Sequence, residues 1–155
     1  MSGIDLVKKF IKDKGVKAEI LLFQGTVESV EKASIASGVK PSQIIKTLLL
    51  KANGEVIAVL LPGNKRLDYK KLKAQLKARK VRLLYPEEVK KISGMNIGEV
   101  SPLTHAISKL KIIADTAVQE LGEVLVGGGS IKSLVKIEAQ DLIKTLNPKI
   151  GDISK

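Results

Sequence analysis

The sequence contains no cysteine and a single histidine, His105. The first absence excludes disulfides, thiolate nucleophiles and cysteine-ligated zinc. The second argues against a histidine-rich metal centre, so no metal and no cofactor is expected. Aromatic residues make up 3% of the chain, two Phe and two Tyr, too few for a base-stacking platform of the RRM or OB type. The longest uncharged apolar run, Val56 to Leu61, is far too short to cross a bilayer, and MSGIDLVKKF at the start lacks the apolar core of a secretory signal. A cytoplasmic location without a membrane partner is the expectation. The phosphate-binding and dinucleotide glycine patterns, the G-x-S-x-G elbow and H-x-x-x-H are all missing.

What remains is a chain of 155 residues, 44% apolar and 28% charged, long enough to close a core as one domain over residues 1–155. Its net charge of +11 is uneven. Residues 65–91, KRLDYKKLKAQLKARKVRLLYPEEVKK, hold eleven Lys/Arg against three acids, while the rest is close to balanced. A basic surface confined to one segment is the footprint of a polyanionic partner, although a solvated lysine-rich helix face would read the same way.

Periodicity and turn chemistry outline the elements. Ser2 and Asp5 form a capping pair for a first helix that Gly15 ends, and residues 17–23 read as a strand. Thr26 is the expected cap of a short helix stopping at Gly38. Strands over 45–51 and 55–61 flank Asn53-Gly54, the strongest hairpin signal present. Asp68 caps a helix expected over 69–80, with Lys70, Lys73, Lys77 and Lys80 on its polar side. A strand at 81–84, a helix opened by Pro86, strands at 111–113, 123–126 and 131–137, a short helix at 116–121 and a last helix over 138–146 complete the pattern. The order predicts an α+β fold, one mixed and mostly antiparallel sheet surrounded by helices.

Three stretches could carry chemistry. In QIIKTLLLK, Lys46 sits amid apolar residues, where an ammonium must snorkel, pair with a carboxylate or await an anion. In SGMNIGEVSPLTH, Gly94 and Gly98 flank a tight loop whose N–H groups could hold an oxyanion, or serve as plain turns. In GGGS, residues 127–130, three consecutive glycines imply close backbone approach, or a wide turn. A Ser101–His105–Asp115 triad is formally possible, but nothing in the spacing favours it.

Together, IIKTLLLK (44–51), LPGNKRLDYKKL (61–72), KARKVRLLYPEEVKKISGMNIGEVSPL (77–103) and VLVGGGSIKSLVKI (124–137) resemble the YbaK family. That family includes the editing domain of bacterial prolyl-tRNA synthetases. The resemblance runs from about Val27 to Leu146 and implies a YbaK-like fold and hydrolysis of the ester of mischarged tRNA in trans, most simply Cys- or Ala-tRNA(Pro). It implies a substrate-assisted mechanism, and prolyl-tRNA synthetase as a partner. It assigns Lys46, Gly98 and Ser101 to catalysis and Gly94, Pro102, Gly127, Gly128, Gly129 and Ser130 to substrate binding. Lys70, Lys73 and Lys77 are then expected to bind tRNA through its phosphates. Glu99 departs from the family, which commonly has a second glycine after Gly98. A non-catalytic tRNA-binding module and a serine hydrolase of small esters are the other classes the sequence leaves open.

Overall fold

The computed structural model describes all 155 residues. Helix α1 (Gly3–Lys14) opens with the expected Ser2–Asp5 capping box and closes on Gly15 in the left-handed region. It buries Val7 and Phe10. After β1 (Ala18–Leu22) comes α2 (Val30–Ser37), whose cap is Ser29 and not Thr26. The Ser29 hydroxyl accepts from Lys32 N, so the helix starts three residues later than the sequence pattern suggests.

Strands β2 (Ile45–Ala52) and β3 (Glu55–Pro62) form the expected hairpin. Asn53 and Gly54 both have positive φ, the backbone that a two-residue hairpin turn requires. Asn53 also shortens the next helix. Its side-chain oxygen accepts from Arg79 N and Lys80 N, drawing that segment away from helical geometry and into β4 (Val81–Leu83). Helix α3 therefore spans Tyr69–Leu76 and ends on Lys77 with φ 53°, so Lys77 and Lys80 lie beyond its body.

Helix α4 (Pro86–Ser93) leads through a loop to α5 (His105–Ser108). Strand β5 (Lys111–Asp115), a 3₁₀ turn over Thr116–Glu120, β6 (Glu123–Gly127), β7 (Ser133–Glu138), α6 (Ala139–Leu146) and β8 (Lys149–Gly151) follow. Strand β7 starts at Ser133 because Ser130 turns the chain first, its hydroxyl accepting from Lys132 N. Helix α5 and strand β8 are too short to leave a periodic signature.

The strands divide into two sheets, not one. Three are antiparallel in the order β1-β7-β6, and five run in the order β4-β2-β3-β5-β8, where β3-β5 and β5-β8 are parallel. Antiparallel pairing still predominates. Strand β3 is apolar on both faces because both are covered. Ala58 and Leu60 point towards the three-stranded sheet, where Val124, Val126, Val135 and Ile137 join α1, α4 and α6 in the main core. Ile57, Val59 and Leu61 point the other way, onto Leu67 and Leu72 at α3 and onto Ile153. This is the α+β architecture expected, with the five-stranded sheet as the middle layer.

Candidate functional site

The site grows from a gap beside β2. Strand β4 pairs only with Leu50, Lys51 and Ala52, and the last bond across that edge is Leu84 N to Leu49 O. Residues 45–48 extend past it. Backbone groups of an antiparallel strand alternate between its two edges. Ile44 O accepts from Gly63 N on the β3 side, so Lys46 and Leu48 follow it, and Thr47 directs its N–H and C=O to the edge β4 does not reach.

Beside that edge lies a cavity of about 320 Å³, lined mostly by apolar residues. Its walls come from Val27–Val30 and Ala33 at the start of α2, Ile44 and the Ile45–Leu49 part of β2, Leu83 and Leu84, Val89 of α4, the loop residues Ile97, Gly98 and Val100, Gly127, and Ser133–Leu134 of β7. The volume is at the small end of ligand pockets.

Lys46 belongs to this lining, half-buried, and it neither snorkels freely nor meets a carboxylate. Its Nζ donates to the main-chain carbonyl of Lys65 at 2.6 Å. Burial lowers its pKa below the ordinary lysine value, and the nearby Arg66 charge lowers it further. A lysine ammonium carries three N–H donors, so this contact leaves two for a ligand.

Gly98 and Gly127 also line the cavity. Gly98 has φ 92°, and a Cβ there would sit 3.0 Å from Cβ of Glu28. Glu99, the departure from the family pattern, closes the same turn: its carboxylate accepts from Asn96 N at 3.0 Å, and its own N–H donates to Asn96 O. A Cβ at Gly127 would lie 2.0 Å from Val100 O, which ties the end of β6 to this loop.

The remaining glycines of GGGS serve contacts within the protein. A Cβ at Gly128 would strike Ser133, and one at Gly129 would strike Gly3 at the start of α1. Ser130 and Ser133 share a hydrogen bond of 2.7 Å, and Ser133 Oγ donates to Gly128 O. Gly128, Gly129 and Ser130 thus shape the wall behind Ser133 without reaching the cavity. Gly94 is the left-handed C-cap of α4. Ser101 and Pro102 are buried, and the Ser101 hydroxyl accepts from Leu103 N at 3.2 Å. The structure brings Lys46, Gly98 and Gly127 together; Gly94, Ser101 and Pro102 stand behind the loop that presents Gly98.

The possible triad does not assemble. His105 Nε2 lies 2.8 Å from Asp13 on α1, with the His105 ring edge-on to Phe10. Asp115 is buried, and its two oxygens accept from Ala117 N and Ile153 N. Lys70 and Lys77 are exposed and Lys73 half-buried, around a helix anchored by Leu72 on the sheet face away from the main core.

Two lining residues escaped the sequence reading. Thr47 was signalled by alternation, since it shares the face of Ile45 and Leu49, opposite to Lys46. Glu28 had no signal, being one acid ahead of a helix cap. Its Oε1 accepts from Lys32 Nζ at 2.6 Å, and this bond is the largest cause holding the carboxyl below its usual pKa.

The profile of the aminoacyl-tRNA editing domain family matches residues 24–145. Among curated proteins, the proline–tRNA ligase of Thermosipho melanesiensis is 33% identical over 116 residues, 75% of this chain and 20% of the ligase. The corresponding enzyme of Thermotoga maritima is 37% identical over 102 residues, 66% of this chain and 17% of the ligase. The chain therefore spans about a fifth of the length of these relatives. Among solved structures, a hypothetical protein with 29% identity superposes with a TM-score of 0.88 over 96% of this chain and 99% of its own. A protein described as a candidate trans-editing enzyme for prolyl tRNA synthetase shares the fold at a TM-score of 0.91, with 22% identity over 100% and 98% of the two chains. On the profile match the chain belongs to the aminoacyl-tRNA editing domain family.

Proposed function

We propose that this protein edits in trans, hydrolysing the ester of a tRNA for proline that carries the wrong small amino acid, cysteine or alanine. The observation that carries this reading is the convergence of Lys46, Gly98 and Gly127 on one small, mostly apolar cavity. A cavity of that size has room for an aminoacyl group together with part of the terminal ribose, and its mostly apolar lining suits an uncharged side chain. The basic segment supplies its rim, since Leu83, Leu84 and Val89 come from residues 65–91. Lys70, Lys73 and Lys77 serve as sequence-independent phosphate contacts for the tRNA body, and the cation of Lys46 engages phosphate at the charged 3′ end. Prolyl-tRNA synthetase, as producer of the mischarged species, is the natural partner, and the cytoplasm the natural location.

The lining polar groups favour a substrate-assisted mechanism. Ser29 Oγ is engaged in capping α2, and Ser133 Oγ donates to Gly128 O. Neither hydroxyl is hydrogen-bonded to a side chain that could act as its base. Water, activated by a hydroxyl of the tRNA, adds to the ester carbonyl. In the cysteine case the substrate's own thiol attacks instead, its proton passing to the departing 3′-oxygen, and water then hydrolyses the resulting cyclic thioester to free cysteine. The bond to the ribose oxygen breaks, and the 3′-hydroxyl leaves with a proton. The protein contributes position, together with fixed N–H dipoles near the developing oxyanion.

The test is a panel of Cys-, Ala- and Pro-tRNA(Pro) incubated with the purified protein. Release of cysteine or alanine with proline spared is expected. Tight tRNA binding without turnover of any ester would make the chain a binding module. Turnover of a nitrophenyl ester without RNA would make it a general esterase.

A further inference from the structure

Two buried side-chain polar atoms lack a hydrogen-bonding partner, Glu28 Oε2 and Thr47 Oγ1. They come from distant stretches of the chain, yet both residues line the same cavity. Buried polar atoms are nearly always satisfied, so two orphans converging on one apolar space require a physical reason.

Glu28 is held firmly for a side chain that keeps 31% of its surface exposed. Lys32 fixes Oε1 from one helical turn away, the Ser29 cap fixes the backbone beside it, and the Gly98 turn packs against its Cβ. The bond from Lys32 is the largest cause holding the carboxyl below its usual pKa. The Glu28 N–H and the Thr26 hydroxyl contribute less, and neither closes a hydrogen bond to Oε2. Oε2 is therefore a fixed, charged acceptor in a mostly apolar space, and its strongest complement is a cationic donor. Lys46 contributes to the same lining from the opposite face of β2, with its ammonium on Lys65 O. A ligand with an anionic and a cationic end, spanning the open edge of β2, would complement both charges. The charged 3′ end of a tRNA is such a ligand: phosphate on one side of the scissile ester, and the α-ammonium of the amino acid on the other.

Resting on the deacylase reading above, we propose that Glu28 Oε2 is the anchor for the α-ammonium of the aminoacyl group, with Thr47 Oγ1 hydrogen-bonding the same acyl group beside it. The site then selects for a free amino group and only secondarily for the side chain. Glu28 is a binding and positioning residue, and the nucleophile lies elsewhere.

The experiment compares free and N-acetylated forms of whichever aminoacyl-tRNA the wild type hydrolyses, with wild type and Glu28→Gln. Wild type should lose about 10- to 100-fold in kcat/KM on N-acetylation, the worth of one hydrogen bond to a charged group. Glu28→Gln should lose a similar factor on the free-amino substrate and nothing further on the acetylated one. An equal N-acetylation penalty in both proteins overturns the proposal, as does an unimpaired Glu28→Gln, because either result leaves Oε2 without a part in binding. Should the variant fold poorly, inhibition of the wild type by alaninamide but not by N-acetylalaninamide supports the anchor, and equal inhibition by both refutes it. Failure of the wild type to deacylate any aminoacyl-tRNA is a different result, because it removes the deacylase reading itself.

Discussion

The two ends of β2 are built from the same kinds of residue and treated oppositely. At its C-terminal end Leu50, Lys51 and Ala52 are paired on both sides, by β3 and β4. The charge there is neutralised: Lys51 Nζ lies 3.4 Å from Glu88, which also takes two hydrogen bonds from Arg82, at 2.8 and 3.0 Å. The Arg82 guanidinium in turn stacks over Tyr85, 4.4 Å from the ring centre. At the N-terminal end β4 is missing, Lys46 has only a main-chain carbonyl, and the Thr47 hydroxyl has no partner. Thr47 and Lys51 share one face of the strand, so a single face passes from satisfied to unsatisfied within four residues. Completing a sheet closes its chemistry, and leaving it short by one strand opens a site.

The sharpest way to break this contrast is at Lys46. Lys46→Ala should lower kcat/KM for deacylation by about 100- to 1,000-fold, the range for removing a positioned charge at a reacting centre. Its melting temperature at neutral pH should stay near the wild type, because the missing hydrogen bond is offset by removal of a desolvated cation. Lys46→Arg should recover only part of the rate, since a planar fork does not replace a compact ammonium. The pH dependence has a definite sign. The folded-state pKa is lowered, so in the alkaline window beneath the usual lysine value the unfolded chain binds more protons. Stability should rise with pH through that window, and deacylation should fall as the ammonium is lost. A folded Lys46→Ala with near-normal turnover would reduce Lys46 to a structural contact.

Next in size is the effect on tRNA affinity. Replacing Lys70, Lys73 and Lys77 by Ala should weaken binding and reduce the log–log salt slope by about 0.9 for every phosphate that a lysine no longer neutralises on duplex-like RNA. The structure refines this expectation. Lys70 and Lys73 sit on α3, whereas Lys77 occupies its left-handed end. Single replacements should therefore show Lys77 contributing independently of the helix. A salt slope that does not change would leave the segment a solvated face.

The sequence was legible wherever local chemistry decides structure. The Ser2–Asp5 box, the Asn53-Gly54 hairpin, the Asp68 cap and the Pro86 helix start all act within a few residues, and all stand as expected. It misled where a distant group intervenes. Asn53 captures Arg79 and Lys80 and so cuts α3 short, which no pattern inside residues 69–80 could show. The site divides in the same way. Lys46 was visible as a cation in an apolar run, but Glu28 becomes a cavity residue only because the Gly98 loop folds over it. The Gly128–Ser133 and Gly129–Gly3 approaches explain those glycines without any ligand, which their run in the sequence could not disclose.

The satisfied end of β2 can be tested in acid. Glu88 has its pKa lowered to about 2, chiefly by Arg82, then by the Tyr85 N–H. An unfolded glutamate titrates near about 4.3. Its contribution is therefore fully present above that value and is lost as pH falls towards 2. Glu88→Gln should lower the melting temperature at pH 7 and flatten its decline between pH 4 and 2. Activity should change little, because Val89, Leu83 and Leu84 keep their places in the cavity wall. An unchanged acid limb would show that Arg82 and Glu88 are no better off paired than in water.

The smallest effect is expected at the single histidine, and it separates the two ends of the problem, fold and chemistry. His105 is exposed at the start of α5, and its Nε2 faces Asp13 instead of the Ser101 hydroxyl. Ser101 is buried beneath Leu103, and Asp115 is committed to two backbone N–H groups. No proton can pass along that set. The His105–Asp13 pair is exposed on both sides, so water and salt screen it and it adds little to stability. Loss of a true general base costs about 100- to 10,000-fold, whereas His105→Ala should keep deacylation within about tenfold of the wild type. Its pH–rate profile should match the wild type through the histidine range. A larger drop with tRNA binding intact would mean that the loop carrying Ser101 rearranges when substrate arrives, and that the cavity beside β2 is not where the ester is cut.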